Sequence, residues 1–317
     1  MRIIPEFDTP GHTFAWGPGG GDGFLVPCGD LGNDRSDGRF GPIDPTIEKN
    51  YKTMDKLIGE IRSVFKDQYL HLGGDEVGKQ CWSRSERIQK WMSEHNIRRV
   101  VPTVTSTNKR LSFMGTTKSG TNALQGHWIG RMINITQSHN LNYVVWEEVF
   151  SDGAKMNSDA IVQVWKGWSG FNPHSTMKRV VMSGYKTIVS QPWYFDWHER
   201  GPKWMQDYAF NPRQGFTDEE AEGILGGEAA IWTEFVDASN VFAMIYPRLN
   251  AVAERLWSNY VETSSTISAL PRLHAWNCKL RERGLPVPPA IYNTNDGSPW
   301  LGYCRQPFDP ITQDFFF

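Results

Sequence analysis

The sequence has no excess of either charge: 33 basic residues against 35 acidic ones leave a net charge of -2. That removes the electrostatic argument for a nucleic-acid partner or an anionic membrane. No run of 18 or more apolar residues occurs, so no segment reads as a membrane span. The first residues do not read as a signal peptide. Met1 is followed at once by Arg2-Ile3-Ile4-Pro5-Glu6-Phe7-Asp8, which reads as a buried strand running into a polar end. Natural domains rarely open inside a core strand, and this start predicts residues upstream that the chain as written does not contain. Cysteine is scarce. Cys28, Cys81, Cys278 and Cys304 lie far apart, with no Cys-x-x-Cys pair, which argues against a zinc cluster. Two disulfides or four buried thiols remain. Asn134-Ile135-Thr136 is a glycosylation sequon and points the secretory way.

What is abundant is aromatic: 14 Trp, 10 Tyr and 17 Phe. A large core accounts for them. A carbohydrate cleft would also use them, because sugar rings have apolar faces that stack on indoles. Composition alone favours the core. Charged residues at 21% are too few for a disordered chain. A length of 317 residues suits one α/β barrel with a tail, or two small domains.

Short apolar runs at 2–7, 68–72, 143–146, 160–165, 186–190 and 223–231 each end in polar or aromatic residues. Their continuous apolar character suits parallel strands covered on both faces. Ile47, Tyr51, Met54, Leu57, Ile58, Ile61 and Phe65 fall near helical spacing in 46–65, and further helices are expected at 85–95, 124–138 and 246–257. Strand–helix alternation predicts a parallel sheet. Chemically loaded residues sit at the C-terminal ends of the runs: Asp8 and His12, Asp75 and Glu76, Trp146 to Glu148, Trp165, Tyr194 and Asp196, Trp232 and Glu234. Those ends form the active-site face of a (β/α)₈ barrel. About six strands are visible against the eight required, so the predicted fold is an incomplete TIM barrel over 1–285. Residues 98–122 read as an inserted, exposed loop and 286–317 as an extended tail.

The chemistry centres on His71-Leu72-Gly73-Gly74-Asp75-Glu76. Two glycines after a strand allow close approach of a ligand or backbone. Neighbouring carboxylates that point in different directions can reach different parts of one substrate. A helix N-terminus, which favours acids, would explain the pair equally well. Asp8 and His12 read either as turn residues or as a pair that tunes a neighbouring acid. A metal-dependent hydrolase using His12, His71 and Asp75 is a further reading, although no His-x-His cluster supports it.

Several motifs resemble the β-N-acetylhexosaminidases of glycoside hydrolase family 20, of the animal lysosomal type. They are Arg2-Ile3-Ile4-Pro5-Glu6-Phe7-Asp8-Thr9-Pro10-Gly11-His12-Thr13, Tyr69-Leu70-His71-Leu72-Gly73-Gly74-Asp75-Glu76-Val77 and Val144-Val145-Trp146-Glu147-Glu148-Val149-Phe150. Val162-Gln163-Val164-Trp165-Lys166, Gln191-Pro192-Trp193-Tyr194-Phe195-Asp196 and Gly226-Gly227-Glu228-Ala229-Ala230-Ile231-Trp232-Thr233-Glu234 continue the series. It ends at Pro247-Arg248-Leu249-Asn250-Ala251-Val252-Ala253-Glu254-Arg255-Leu256-Trp257. The resemblance covers nearly the whole chain, with 98–122 the main stretch that does not fit.

This resemblance implies exo-acting hydrolysis of terminal β-linked N-acetylhexosamine, without a cofactor or metal. The 2-acetamido oxygen of the substrate serves as nucleophile, the exception to the usual two-carboxylate scheme. It implies that Glu76 protonates the leaving oxygen and then activates water. Asp75 would stay ionised to orient the acetamide N–H and stabilise positive charge. Tyr194 would hydrogen-bond the acetamide carbonyl. Trp146, Trp165 and Trp232 would enclose the acetyl methyl and sugar face, while Asp196 and Glu234 would bind hydroxyls. Asp8 and His12 would form a relay to Glu76. Apolar neighbours and Asp75 would raise the pKa of Glu76. Cys28 would pair with Cys81, and Cys278 with Cys304.

The implied partners are glycans and glycoconjugates ending in N-acetylglucosamine or N-acetylgalactosamine. Animal members are lysosomal or secreted and dimerise, so a homodimer is allowed. By the same resemblance the chain begins at the third barrel strand. It lacks a preceding α+β domain, the first two strands and an arginine that grips the terminal sugar. Impaired or absent activity of the isolated chain is therefore expected, and a sugar-binding protein without turnover is the alternative.

Overall fold

The computed structural model describes residues 2–28, 40–97, 120–167, 172–197, 202–290 and 304. The chain divides into two compact units, Met1–Val164 with Arg179–Thr187, and Trp165–Lys178 with Ile188–Phe317. A short antiparallel pair comes first: β1 (Leu25–Pro27) and β2 (Phe40–Ile43), with Leu25 opposite Ile43. Then follow β3 (Tyr69–His71), β4 (Asn142–Trp146), β5 (Ile161–Val164), β6 (Lys186–Val189) and β7 (Ile224–Gly227). These five form one sheet in chain order. The β3–β4 and β4–β5 pairs are parallel, with Leu70 beside Tyr143 and Val144 beside Ile161. Strand β5 is buried at every position, and β4 at all but its first. Helices cover both faces of such a sheet, which is why these strands read as unbroken apolar runs.

The predicted opening strand is the weakest of the six. It pairs with β3 through a single parallel bridge, Glu6 to His71. Phe7 N–H donates to His71 O at 3.0 Å, and His71 N–H donates to Pro5 O at 3.0 Å. Pro5 has no N–H to extend the ladder.

The helix Glu48–Val64 buries Tyr51, Met54 and Ile58 against the sheet. The helix Gly120–Ser138 buries Leu124, Gln125, Trp128, Ile129, Met132, Ile133 and Thr136, one face at helical spacing. Together with Leu70, Leu72, Tyr143, Val145, Val149 and Val162 these residues make the core of the first unit. The helix begins at Gly120, so the last three residues of the expected loop at 98–122 are helical; 98–119 lie outside the described residues. In the second unit, Trp204, Tyr208, Ala251, Leu270 and Leu273 form a separate core between the helices Lys203–Ala209, Arg248–Trp257 and Thr266–Glu282.

Both disulfides are formed, Cys28–Cys81 and Cys278–Cys304. Gly41 makes room for the first, since a Cβ there would sit 2.6 Å from Cys28 Sγ and 2.5 Å from Cys81 Sγ. Of the expected tail, 286–290 is irregular and Cys304 is held by its bridge; the rest lies outside the described residues. No described helix is long and apolar enough to cross a membrane.

Candidate active site

The turn after β3 is built on two glycines in the left-handed region, Gly73 at φ +67° and Gly74 at φ +101°. Neither tolerates a side chain. A Cβ on Gly73 would lie 1.9 Å from Asp8 Oδ1, and one on Gly74 would lie 2.4 Å from Val149 Cγ2. The turn brings in the opening segment, as Gly74 N–H donates to Asp8 Oδ1 at 2.8 Å. Glu76 follows at φ +47° and His12 stands at φ +50°. A non-glycine residue held there costs about 1–3 kcal/mol and persists where its surroundings hold it.

These turns gather four titratable groups. His12 Nε2 lies 3.8 Å from Asp8 Oδ2, 3.7 Å from Asp75 Oδ2 and 3.6 Å from Glu76 Oε2. The three residues of the expected relay, Asp8, His12 and Glu76, are brought together, and the same His12 nitrogen also faces Asp75. The side chain of Asp75 is 13% exposed, that of Asp8 19% and that of Glu76 57%. Glu76 thus has far less apolar cover than the resemblance implied.

Asp8 and Asp75 share a poorly solvated space. Burial pushes Asp8 up to about 7, against hydrogen bonds from Asp75 and Gly74 that favour its anion. Asp75 is raised further, first by burial and then by the Asp8 charge and their hydrogen bond, with His12 opposing. Nearby Glu148 raises both. Burial and the neighbouring Asp8 both favour the protonated form of Asp75 in this arrangement, whereas the resemblance implies an ionised group in the reaction. Burial is the first cause and Asp8 the second, and the sequence discloses neither the burial nor the approach of Asp8.

Around the cluster, Trp146 is buried and its Nε1–H donates to Glu6 Oε1 at 2.8 Å. Its ring stands 4.9 Å from that of His71. In the metal-dependent reading His71 was a ligand, but both of its ring nitrogens are engaged, Nδ1 with Gly73 N–H and Nε2 with Gln163 Oε1. Ligand atoms of Asp8, His12 and Asp75 do fall within 4.8 Å of one another.

The second unit carries the remaining residues named from the sequence. Tyr194 is buried, pairs with Ala230 through a parallel bridge, and has its ring 6.3 Å from that of half-buried Trp165. Asp196 is buried and its Oδ1 accepts from Trp232 N–H at 3.2 Å. Trp232 is 43% exposed and Glu234 is exposed. Behind this segment Arg248 lies 4.6 Å over the Phe195 ring and pairs with fully buried Asp207 at 2.7 Å, whose carbonyl accepts from Trp193 Nε1–H at 3.0 Å. The sequon residue Asn134 is exposed on the helix Gly120–Ser138.

Sequence reasoning placed Glu148 at a strand end without a specific role, gave none to Gln125 or Gln163, and considered His71 only as a metal ligand. A signal was present: His71 and Gln163 are polar residues inside continuous apolar strands, and such groups are retained where they are hydrogen-bonded.

A parallel α/β sheet that presents clustered carboxylates beyond the C-terminal ends of its strands is the frame of a carboxylate-based hydrolase domain. Residues 1–260 match the model of the glycosyl hydrolase family 20 catalytic domain, and the chain belongs to that family. It is 35% identical over 310 residues to the beta-hexosaminidase subunit alpha of Mus musculus, covering 98% of this chain and 52% of that protein. It is 36% identical over 308 residues to the beta-hexosaminidase subunit beta of Homo sapiens, covering 96% and 49%. The chain thus spans about half the length of these relatives. Among solved structures it is similar to the Flavobacterium johnsoniae chitobiase, with a TM-score of 0.70 and 28% identity over 90% of this chain and 40% of that one. The GH20 exo beta-N-acetylglucosaminidase of Vibrio harveyi shares the fold, with a TM-score of 0.71, 23% identity, and coverage of 92% and 44%.

Proposed function

We propose that this chain carries the catalytic machinery for exo-acting hydrolysis of terminal, non-reducing β-linked N-acetylhexosamine residues. The supporting observation is the convergence of Asp8, Asp75 and Glu76 on His12 Nε2, all within 3.8 Å, on turns at the strand ends. In the proposed reaction the acetamide oxygen of the substrate forms a bond to the anomeric carbon as the glycosidic C–O bond breaks. Glu76, the more exposed acid, passes its proton to the departing oxygen. Water then adds to the anomeric carbon and gives a proton back to Glu76 as the acetamide oxygen leaves. Two displacements at one carbon retain the configuration.

Asp75 is the partner for the acetamide N–H. The positive charge that develops on the acetamide favours ionised Asp75, and Asp8 is the acceptor to which its proton can pass. His12 is placed to bias all three carboxylates. By family resemblance and residue type, Tyr194 is assigned to the acetamide carbonyl. Trp146, Trp165 and Trp232 are assigned to the acetyl methyl and sugar face, and Asp196 and Glu234 to sugar hydroxyls.

The five-stranded sheet is proposed to be part of a TIM-type barrel. The proposed substrates are glycans and glycoconjugates that end in N-acetylglucosamine or N-acetylgalactosamine. A lysosomal location, glycosylation at Asn134 and a homodimer are proposed from the animal relatives.

The test is a series of aryl β-glucosaminides whose acetamide methyl carries zero to three fluorines. Each fluorine weakens the carbonyl oxygen as a nucleophile, so kcat should fall steeply along the series. A flat series would overturn the substrate-assisted reading.

A further inference from the structure

Both glycines of the turn before Asp75 have every backbone polar atom committed. Gly73 N–H donates to His71 Nδ1 at 3.0 Å, and Gly73 O accepts from Trp146 N–H at 3.1 Å. Gly74 N–H donates to Asp8 Oδ1 at 2.8 Å, and Gly74 O accepts from Gln125 Nε2 at 2.7 Å. A turn with two successive left-handed residues has no sheet or helix ladder to hold it, so these four bonds set its course. That course decides where the carboxylates of Asp75 and Glu76 stand.

We infer that His71 is a positioning residue for the reaction proposed above: its Nδ1 anchors Gly73 N–H, and Gln163 locks the ring in the neutral Nε2–H tautomer that makes this possible. A backbone N–H can only donate, so Nδ1 must be the unprotonated nitrogen. The ring proton is then on Nε2 and donates to Gln163 Oε1 at 3.1 Å. His71 and Gln163 are both buried, 6% and 2% exposed. Burial also pushes the His71 pKa down to about 3, which keeps the ring neutral. Glu6 Oε1 lies 3.4 Å from Nδ1 and accepts from Trp146 Nε1–H at 2.8 Å. The ring of Trp146 against His71 fixes the remaining degree of freedom. His71 is not placed to touch the reacting atoms; it acts through the backbone of Gly73.

The inference rests on the reading under "Proposed function", and its test separates the two. His71→Asn puts an amide oxygen where Nδ1 stood and keeps an acceptor for Gly73 N–H. His71→Gln places its amide at the Nε2 position and leaves Gly73 N–H without an acceptor. With a chromogenic aryl N-acetyl-β-glucosaminide, the Gln variant should lose about 100-fold in kcat, since a misplacement of about 1 Å has an effect of that order. KM should stay within about threefold, and the Asn variant should stay within about fivefold of the parent in kcat, because most binding contacts are untouched. Equal losses in both variants, or a loss carried by KM, would overturn the inference. Should His71→Gln fail to fold, Gln163→Met removes only the tautomer lock and should likewise lower kcat with KM unchanged; unchanged kcat counts against the inference.

A spectroscopic arm does not depend on turnover. Nitrogen-15 spectra of the parent should show His71 as the neutral Nε2–H tautomer, and hydrogen exchange should show a protected Gly73 amide that loses protection in Gln163→Met. An Nδ1–H or charged His71, or an unchanged amide, would overturn the inference. A parent that shows this signature but does not hydrolyse the substrate would overturn the proposed function alone.

Discussion

At the scale of single residues, the two adjacent acids have different surroundings and hence different work. Asp75 is largely buried beside Asp8, whereas Glu76 is open enough to exchange protons with a leaving group and with water. Asp75→Asn keeps the shape but cannot carry the negative charge that a cationic intermediate needs. It is expected to lower kcat about 10²–10³-fold, as measured by steady-state hydrolysis; activity near the parent's would refute its assignment. The raised pKa of Asp8 has a consequence for stability. Unfolded, a carboxyl of this type titrates near about 3.9; folded, Asp8 titrates at about 7. Between these values the folded state holds the extra proton, so stability falls as pH rises through that window. Asp75, raised in the same direction, adds to the slope. Asp8→Asn removes the charge and relieves Asp75, so its urea-unfolding free energy should depend less on pH from 4 to 7. A slope equal to the parent's would contradict this account.

At the scale of elements, the strand–turn junctions hold the site and the helices hold the junctions. Gly73 sits in a conformation that alanine adopts only with strain, and its missing side chain is the space that Asp8 occupies. Gly73→Ala should therefore cost about 2–4 kcal/mol in unfolding free energy and lower activity as well. Denaturant melts would check the first part, and a stability change under about 0.5 kcal/mol, the size of an ordinary surface substitution, would argue against the tight approach. In the second unit, the Arg248–Asp207 pair joins the helices Arg248–Trp257 and Lys203–Ala209 beneath Phe195. Removing the arginine alone leaves a buried anion, so Arg248→Met should cost about 3–5 kcal/mol; the double variant with Asp207→Leu should recover much of it.

Much of this level was legible beforehand. The runs at 68–72, 160–165, 186–190 and 223–231 each contain an observed strand and 143–146 falls within one, because residues buried between covering layers leave an apolar signature. The pair β1 and β2 was not legible, because Pro27, Gly41 and Pro42 mask its short strands. The helix Thr266–Glu282 was also missed. It carries Pro271 within its span, which reads as a breaker in sequence.

At the scale of the whole molecule, two disulfides brace the two units separately. Cys28–Cys81 closes 53 residues in the first, and Cys278–Cys304 closes 26 in the second. Chain-entropy reasoning assigns about 4 kcal/mol to the larger loop and about 3.5 to the smaller. The denatured protein should take up no alkylating label until it is reduced, and four labels afterwards, as read by intact mass. Any label before reduction would contradict the bridges. The substrate and partner proposals also belong to this scale, because the chain spans about half of the relatives it matches.

The sequence by itself determined the parallel α/β character, the position of most strands and the identity of the acidic turn, since each is written locally in apolar runs and glycine spacing. The tertiary structure alone decided how those groups behave. Asp8 and Asp75 are far apart along the chain, as are His71 and Gln163, yet each pair is in contact in the fold. Protonation and tautomer follow from burial and from the nearest charge. Both are properties of space rather than of the chain, so the paired acids after β3 were readable while the upward push on the Asp75 pKa was not.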